Sequence, residues 1–141
     1  MDGEIKASVC FFAHDGKGRY LIAKRAKHLH NEPGVWGPGS GTIEYGEHIG
    51  DTLQREVGEE YGATVQEQKF IGYRDWVNEK NKIHWFVFDF LVRIDPAEAK
   101  NNEPDKCDEI RWVTLDEMRR MKESFHPQME AFLEKYTKIF A

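Results

Sequence analysis

The chain is poor in cysteine, has no long hydrophobic run, and carries no excess of positive charge. Each of these scarcities closes off a class of protein. Cys10 and Cys107 make neither a metal nor a redox motif, so they read as two reduced thiols, one on a strand and one in a loop, of a cytoplasmic protein. No apolar stretch approaches a membrane span, and no signal peptide is recognisable. With 20 basic against 25 acidic residues the net charge is -5. That balance argues against a dedicated nucleic-acid binder, which needs a basic face to displace counterions. It leaves a small nucleotide open as substrate, because metal ions can screen its phosphates. The six histidines are dispersed. His28 and His30 flank Leu29 on an expected loop, too few ligands for zinc. No internal repeat is visible.

What is present fits a folded globule: 141 residues, 40% hydrophobic and 13% aromatic. This is enough for one domain, 1–141, with a core that needs no staples. Ile5 to Ala13 reads as a strand, Asp15-Gly16-Lys17-Gly18 as a turn, and Tyr20 to Lys24 as the hairpin partner. A Gly/Pro-rich loop is expected from Lys27 to Gly41. Strands are expected at Thr64 to Phe70, Gly72 to Val77 and His84 to Ile94, with a hairpin loop from Asn78 to Lys82. Asp95 to Glu109 reads as a long loop and Ile110 to Val113 as a short strand. Thr114 to Glu117 forms a capping box for a short helix. Pro127 starts a last helix with one apolar stripe, Met129, Phe132, Leu133 and Tyr136. Strands and helices interleave without a βαβ repeat, so the expected class is α+β, with a mixed-sheet sandwich as the architecture.

The decisive stretch is Gly41 to Ala63. Ile49, Leu53 and Val57 recur at i, i+4, i+8, and Gly62 stands where a helix would stop, so Ile49 to Tyr61 is predicted to be helical. Glu56 and Glu60 are also four apart, and at about 100° per residue they lie beside the apolar stripe. Stacked there they repel each other, and they sit in the last turns, where the helix dipole disfavours anions. A divalent cation removes both penalties, and hard cations such as magnesium take oxygen ligands of this kind. Gly58, mid-helix, costs about 1 kcal/mol relative to alanine, with close packing as the expected reason.

The same residues carry a resemblance. Gly41, Glu47, Arg55, Glu56, Val57, Glu59, Glu60 and Gly62 match, in register, the signature G-x5-E-x7-R-E-U-x-E-E-x-G-U of the Nudix hydrolases, with Ala63 small for the last aliphatic. Upstream, Trp36-Gly37-Pro38-Gly39-Ser40-Gly41 departs from the W-x-x-P-G-G common in that family. The resemblance implies a Nudix fold, a mixed sheet sandwiched between helices. It implies a metal site built from the Ser40 carbonyl and from Glu56, Glu59 and Glu60, with Mg2+ (or Mn2+) as cofactor. Arg55 would pair with Glu47 or Glu59 and orient the carboxylates. Glu47 reads as structural and Glu44 as a catalytic candidate. Glu103, in the late loop, is one candidate for a further ligand.

Outside the box, Lys24 and Arg25 end a strand where they could meet phosphates, Arg25 through a bidentate grip. Trp36 and Trp112 are candidate stacking surfaces for a base, with a core role equally open to each. Glu103-Pro104-Asp105-Lys106-Cys107, followed by Trp112-Val113, resembles the MutT-homologue branch of nucleoside triphosphate diphosphatases. That likeness implies cleavage of nucleoside triphosphate to monophosphate and pyrophosphate. The rivals are ADP-ribose or dinucleoside polyphosphate hydrolysis and a non-catalytic nucleotide-sensing module. The expected partner is the nucleotide alone, without nucleic acid or membrane; a homodimer is left open.

Overall fold

Residues 2–136 are described by a computed structural model. Along the chain come β1 (Glu4–His14), β2 (Arg19–Arg25), β3 (Trp36–Gly37), β4 (Gly39–Thr42), α1 (Ile49–Tyr61), β5 (Glu67–Asn78), β6 (Ile83–Arg93), β7 (Cys107–Thr114), α2 (Leu115–Arg120) and α3 (Pro127–Ala131). The last helix runs on into a π-helical turn over Phe132–Tyr136. The mixed sheet has the order β3-β2-β1-β6-β5, with β4 added on β1 and β7 on β2. β1 and β6 run parallel along their whole lengths, and the other pairs are antiparallel.

Strand alternation divides the core in two. Val9, Phe11 and Ala13 of β1 face Leu53, Val57 and Tyr61 of α1. Cys10 and Phe12 face the other way, onto Met118 of α2 and onto Met129, Phe132 and Tyr136. The sheet therefore lies between helices, as expected. Phe12 and Phe132 stack at 4.1 Å between ring centroids.

Three expected boundaries differ. The two strands expected on either side of Ile71 are one strand, β5, because a bulge lets pairing with β6 continue past it. Gly72 sits at the bulge with φ +155°, and a Cβ there would lie 2.8 Å from the Tyr136 hydroxyl. The expected Lys27–Gly41 loop contains β3 and β4, held by long-range bonds. Trp36 N–H donates to the Ser124 carbonyl at 2.9 Å and His126 N–H to the Trp36 carbonyl at 2.7 Å. β7 begins at Cys107, before the expected end of its loop.

A buried ion cluster joins the sheet to the last helix. Asp89 has no exposed surface. Arg74 grips it with a planar fork, Nε to Oδ2 at 2.8 Å and Nη2 to Oδ1 at 2.7 Å. Tyr136 Oη donates to Oδ2 at 2.9 Å. Burial alone would lower the Arg74 pKa, but the bonds to Asp89 outweigh it and raise it. Burial and the bond to Asp89 push the Tyr136 phenol up to about 12. A raised phenol pKa means that the folded state holds the proton more tightly. That stability is complete below the ordinary value of 10.0 and is lost as pH climbs toward about 12. Tyr136→Phe should cost about 1–2 kcal/mol at neutral pH. Denaturant titrations should show that the variant lacks the wild-type decline between these pH values.

Candidate active site

The site begins with a fork in the sheet. β1 gives the same edge to two partners, β4 opposite Ser8–Phe11 and β2 opposite Ala13 and His14. The two partners diverge, and a cleft opens between them. It is lined by Lys24 and Arg25 of β2, Gly37 and Pro38, Ser40 of β4, and Glu56, Glu59 and Glu60 of α1. Glu103, Lys106, His126 and Gln128 complete the wall.

α1 has the predicted bounds. Gly62 closes it at φ 65°, in the left-handed region, with its N–H on the Gly58 carbonyl at 2.9 Å. The last turn carries no basic residue, so the loop before β7 satisfies its carbonyls. Lys100 N–H donates to the Tyr61 carbonyl at 2.9 Å and Asn102 N–H to the Glu60 carbonyl at 3.1 Å. The Asn102 amide adds a bond to the Glu59 carbonyl at 3.1 Å. The same anchoring draws Glu103 into the cleft. The close packing expected at Gly58 is absent: a Cβ there would meet nothing nearer than the Ala63 carbonyl oxygen, at 4.0 Å.

Glu56 and Glu60 face each other across one turn, close enough for the charge of one to act on the other. Burial, then the charge of Glu56, push Glu60 well above the usual carboxylate range. Burial raises Glu56 as well, although Arg55 opposes it. Oε2 of Glu60 is shut off from solvent and has no hydrogen-bond partner among the described residues. A buried, unpaired carboxylate oxygen beside a second carboxyl is costly unless a cation answers it. Gly41 passes so close to this pair that a Cβ there would overlap Cδ of Glu56. Ser40, on the neighbouring β4, lines the same cleft as Glu56 and Glu60. These donors fit a divalent cation. Among the described residues, no group of three or more acidic, histidine or cysteine side chains is gathered around one point. Glu59 is half-exposed and turned toward Arg55.

Arg55 organises the acids. Its Nε meets Glu47 Oε2 at 2.6 Å and its Nη2 meets Glu47 Oε1 at 2.9 Å. Nη1 meets Glu56 Oε1 at 2.6 Å and lies 3.6 Å from Glu59 Oε2. Nη2 also donates to the Thr42 carbonyl at 3.1 Å. Arg55 thus reaches both expected partners and Glu56 besides. The bond to Arg55 brings the Glu47 carboxyl down to about 2, assisted by the Glu44 backbone. Glu44 itself is exposed, 3.8 Å from Arg55.

Outside the box the structure separates the candidates. Arg25 lines the cleft, with Nε anchored on the Asn31 carbonyl at 2.9 Å. Trp36 does not: it is fully buried, capped by the Arg111 guanidinium at 4.6 Å, and offers no face to a base. Trp112 packs against the α1-side core and does not line the cleft. The stacking role open to Trp36 is therefore corrected to a core role, whereas Trp112 is only partly buried at the edge of the core. Sequence reasoning missed Lys106, His126 and Gln128. The last two reach the cleft because the segment before α3 is bonded to Trp36 and Gln128 meets Cys10, and no local pattern announces such distant contacts.

A model of the NUDIX domain matches residues 4–136. The chain belongs to the Nudix family. Among curated Nudix relatives, the NAD-capped RNA hydrolase NudC of Mycobacterium tuberculosis is 27% identical over 115 residues, 82% of this chain and 34% of NudC. The phosphatase NudJ of Escherichia coli is 28% identical over 104 residues, 72% of this chain and 64% of NudJ. The chain thus spans about a third of NudC and under two thirds of NudJ. The MutT Nudix hydrolase of Burkholderia pseudomallei superposes with a TM-score of 0.78, at 23% identity over 93% of this chain and 97% of that one. The MutT protein of Methanosarcina mazei gives 0.75, at 23% identity over 99% and 98%. These two likenesses establish the fold.

Two substitutions probe the Nudix box. Glu60→Gln lets an amide N–H answer Glu56 and removes the repelling pair. The cation-free protein should gain about 1 kcal/mol in denaturant titration, while stabilisation by added magnesium, read as a melting shift, should vanish. Gly41→Ala should leave the fold intact, because Glu56 is flexible and can swing away. It should weaken the magnesium-induced shift at least tenfold in apparent affinity.

Proposed function

We propose that this chain is a divalent-cation-dependent hydrolase of nucleoside diphosphate linkages, and that it converts nucleoside triphosphates to monophosphate and pyrophosphate. One observation carries this reading. The unpaired carboxylate oxygen of Glu60, beside Glu56, lies in a cleft whose other wall bears Lys24, Arg25 and Lys106. One wall suits a cation and the other suits phosphate.

Glu56 and Glu60 would hold the ion, with the Ser40 carbonyl and Glu59 as further donors. When bound, magnesium supplies charge stabilisation on the phosphate oxygens and lowers the pKa of a water. Arg55 keeps Glu56 oriented and opposes the effect of burial on its carboxyl. Arg25, with Nε fixed on the Asn31 carbonyl, presents its remaining guanidinium donors to the phosphates. Water adds to the α-phosphorus, the bond from that phosphorus to the bridging oxygen breaks, and pyrophosphate departs as one unit. The proton passes to the carboxylates that keep exposed surface, Glu59 or Glu103. Most of the rate gain in such a reaction comes from placement and charge stabilisation.

The intact carboxylate set speaks against a module that binds without turnover. The name of NudC supplies one competing substrate, NAD-capped RNA, so the panel should include it with ADP-ribose beside nucleoside triphosphates and dinucleoside polyphosphates. Triphosphates should turn over fastest, and oxygen-18 water should label the monophosphate. Label in orthophosphate, or preference for NAD-capped RNA or ADP-ribose, would reject the triphosphate assignment. Arg25→Ala should lower kcat/KM by about tenfold or more, with lysine rescuing only part.

A further inference from the structure

β1 and β6 are longer than the helix that covers them. α1 packs on the half of the sheet that holds Val9, Phe11, Phe90 and Val92. Register then identifies what lies on the same face beyond it. Ile5, His84 and Val77 form one row across β1, β6 and β5; Ala7, Phe86 and Asp75 form the next; Val9, Phe88 and Tyr73 the third. Paired residues point to one side of a sheet, so Ile5, Phe86, Tyr73 and Val77 share a continuous face, joined by Phe70 opposite Phe90. Ile5 is 76% exposed, Tyr73 60%, and Phe70 and Val77 53% each.

The polar groups inside this patch are already matched. His84 Nε2 meets Asp75 Oδ2 at 2.8 Å, and the His84 ring stacks on Phe86 at 4.5 Å. Covering the patch would strand neither group. Beside it runs the outer edge of β5, a 12-residue strand that pairs only with β6 among the described residues. A long edge next to exposed aromatics is a template for another chain.

We propose that a second copy of this chain covers this face, the two patches packing face to face about a twofold axis beside the β5 edges. Two observations choose this occupant. With large side chains carrying roughly 150–250 Å2 each, the exposed fractions amount to on the order of 500 Å2 per copy. Doubled, with a polar rim, this reaches the roughly 1,200–2,000 Å2 of a stable interface, and a twofold makes one patch its own complement. Charge disfavours nucleic acid as the alternative: Asp2, Glu4 and Glu79 rim the patch, against Lys82.

Sedimentation velocity on the wild-type chain at micromolar concentration should show a dimer. Tyr73→Asp with Val77→Asp should weaken dimerisation at least tenfold. Ile5→Asp, on a different strand, should do the same, so that misfolding of one variant does not decide the matter. Near-UV circular dichroism reports folding and should be retained in each variant. A monomeric wild type, dimers that persist in the folded variants, or a monomer whose tryptophan fluorescence is quenched by single-stranded RNA would each overturn the proposal. These readouts use no substrate, so they stand apart from the hydrolase reading.

Discussion

The Arg55 guanidinium lets the acidic helix exist. Glu56, Glu59 and Glu60 crowd the end of α1, where the helix dipole already disfavours anions, and Glu47 and Glu44 approach from the preceding loop. Arg55 bonds Glu47 through two nitrogens and Glu56 through a third, with Glu59 within ion-pair distance. A planar fork can serve several carboxylates at fixed angles, whereas an ammonium is a single point charge. Arg55 leaves Glu60 uncompensated: its charge falls toward Glu56 and into the cleft. The unanswered charge is thus concentrated at one pair, where a cation is useful.

That arrangement depends on backbone as much as on charge. Gly41 allows β4 to run against the Glu56 side chain with no Cβ between them. The loop before β7 satisfies the exposed carbonyls of α1, and so brings Glu103 to the same cleft. On the other side of the sheet, the fully buried Asp89 with Arg74 and Tyr136 ties β5 and β6 to the terminal helix. That helix carries His126 and Gln128 at its start, so a polar cluster on one face of the sheet helps to place residues of the cleft.

How far each feature could be read from the residues follows the range of the interactions that create it. α1 was legible to the residue, because its apolar period, its terminal glycine and its box spacing are all local. The strands of β1, β2 and β6 were legible for the same reason. β5 was misread as two strands because a bulge glycine looks like a break until its partner strand is known. Trp36 and Trp112 could not be assigned from sequence, since a tryptophan in a core and one under a base look alike in a string of letters.

By itself the sequence determined the helix, the acidic set upon it, the α+β class and the family. These rest on periods and spacings within about twenty residues, where backbone geometry converts sequence distance directly into spatial distance. Only the tertiary structure decided that Trp36 is buried, that His126 and Gln128 enter the cleft, that Asp89 is an internal anion, and that, among the described residues, half of one sheet face has no helix over it. Those outcomes come from contacts between distant segments, whose formation is settled by how strands register and helices pack rather than by any local pattern.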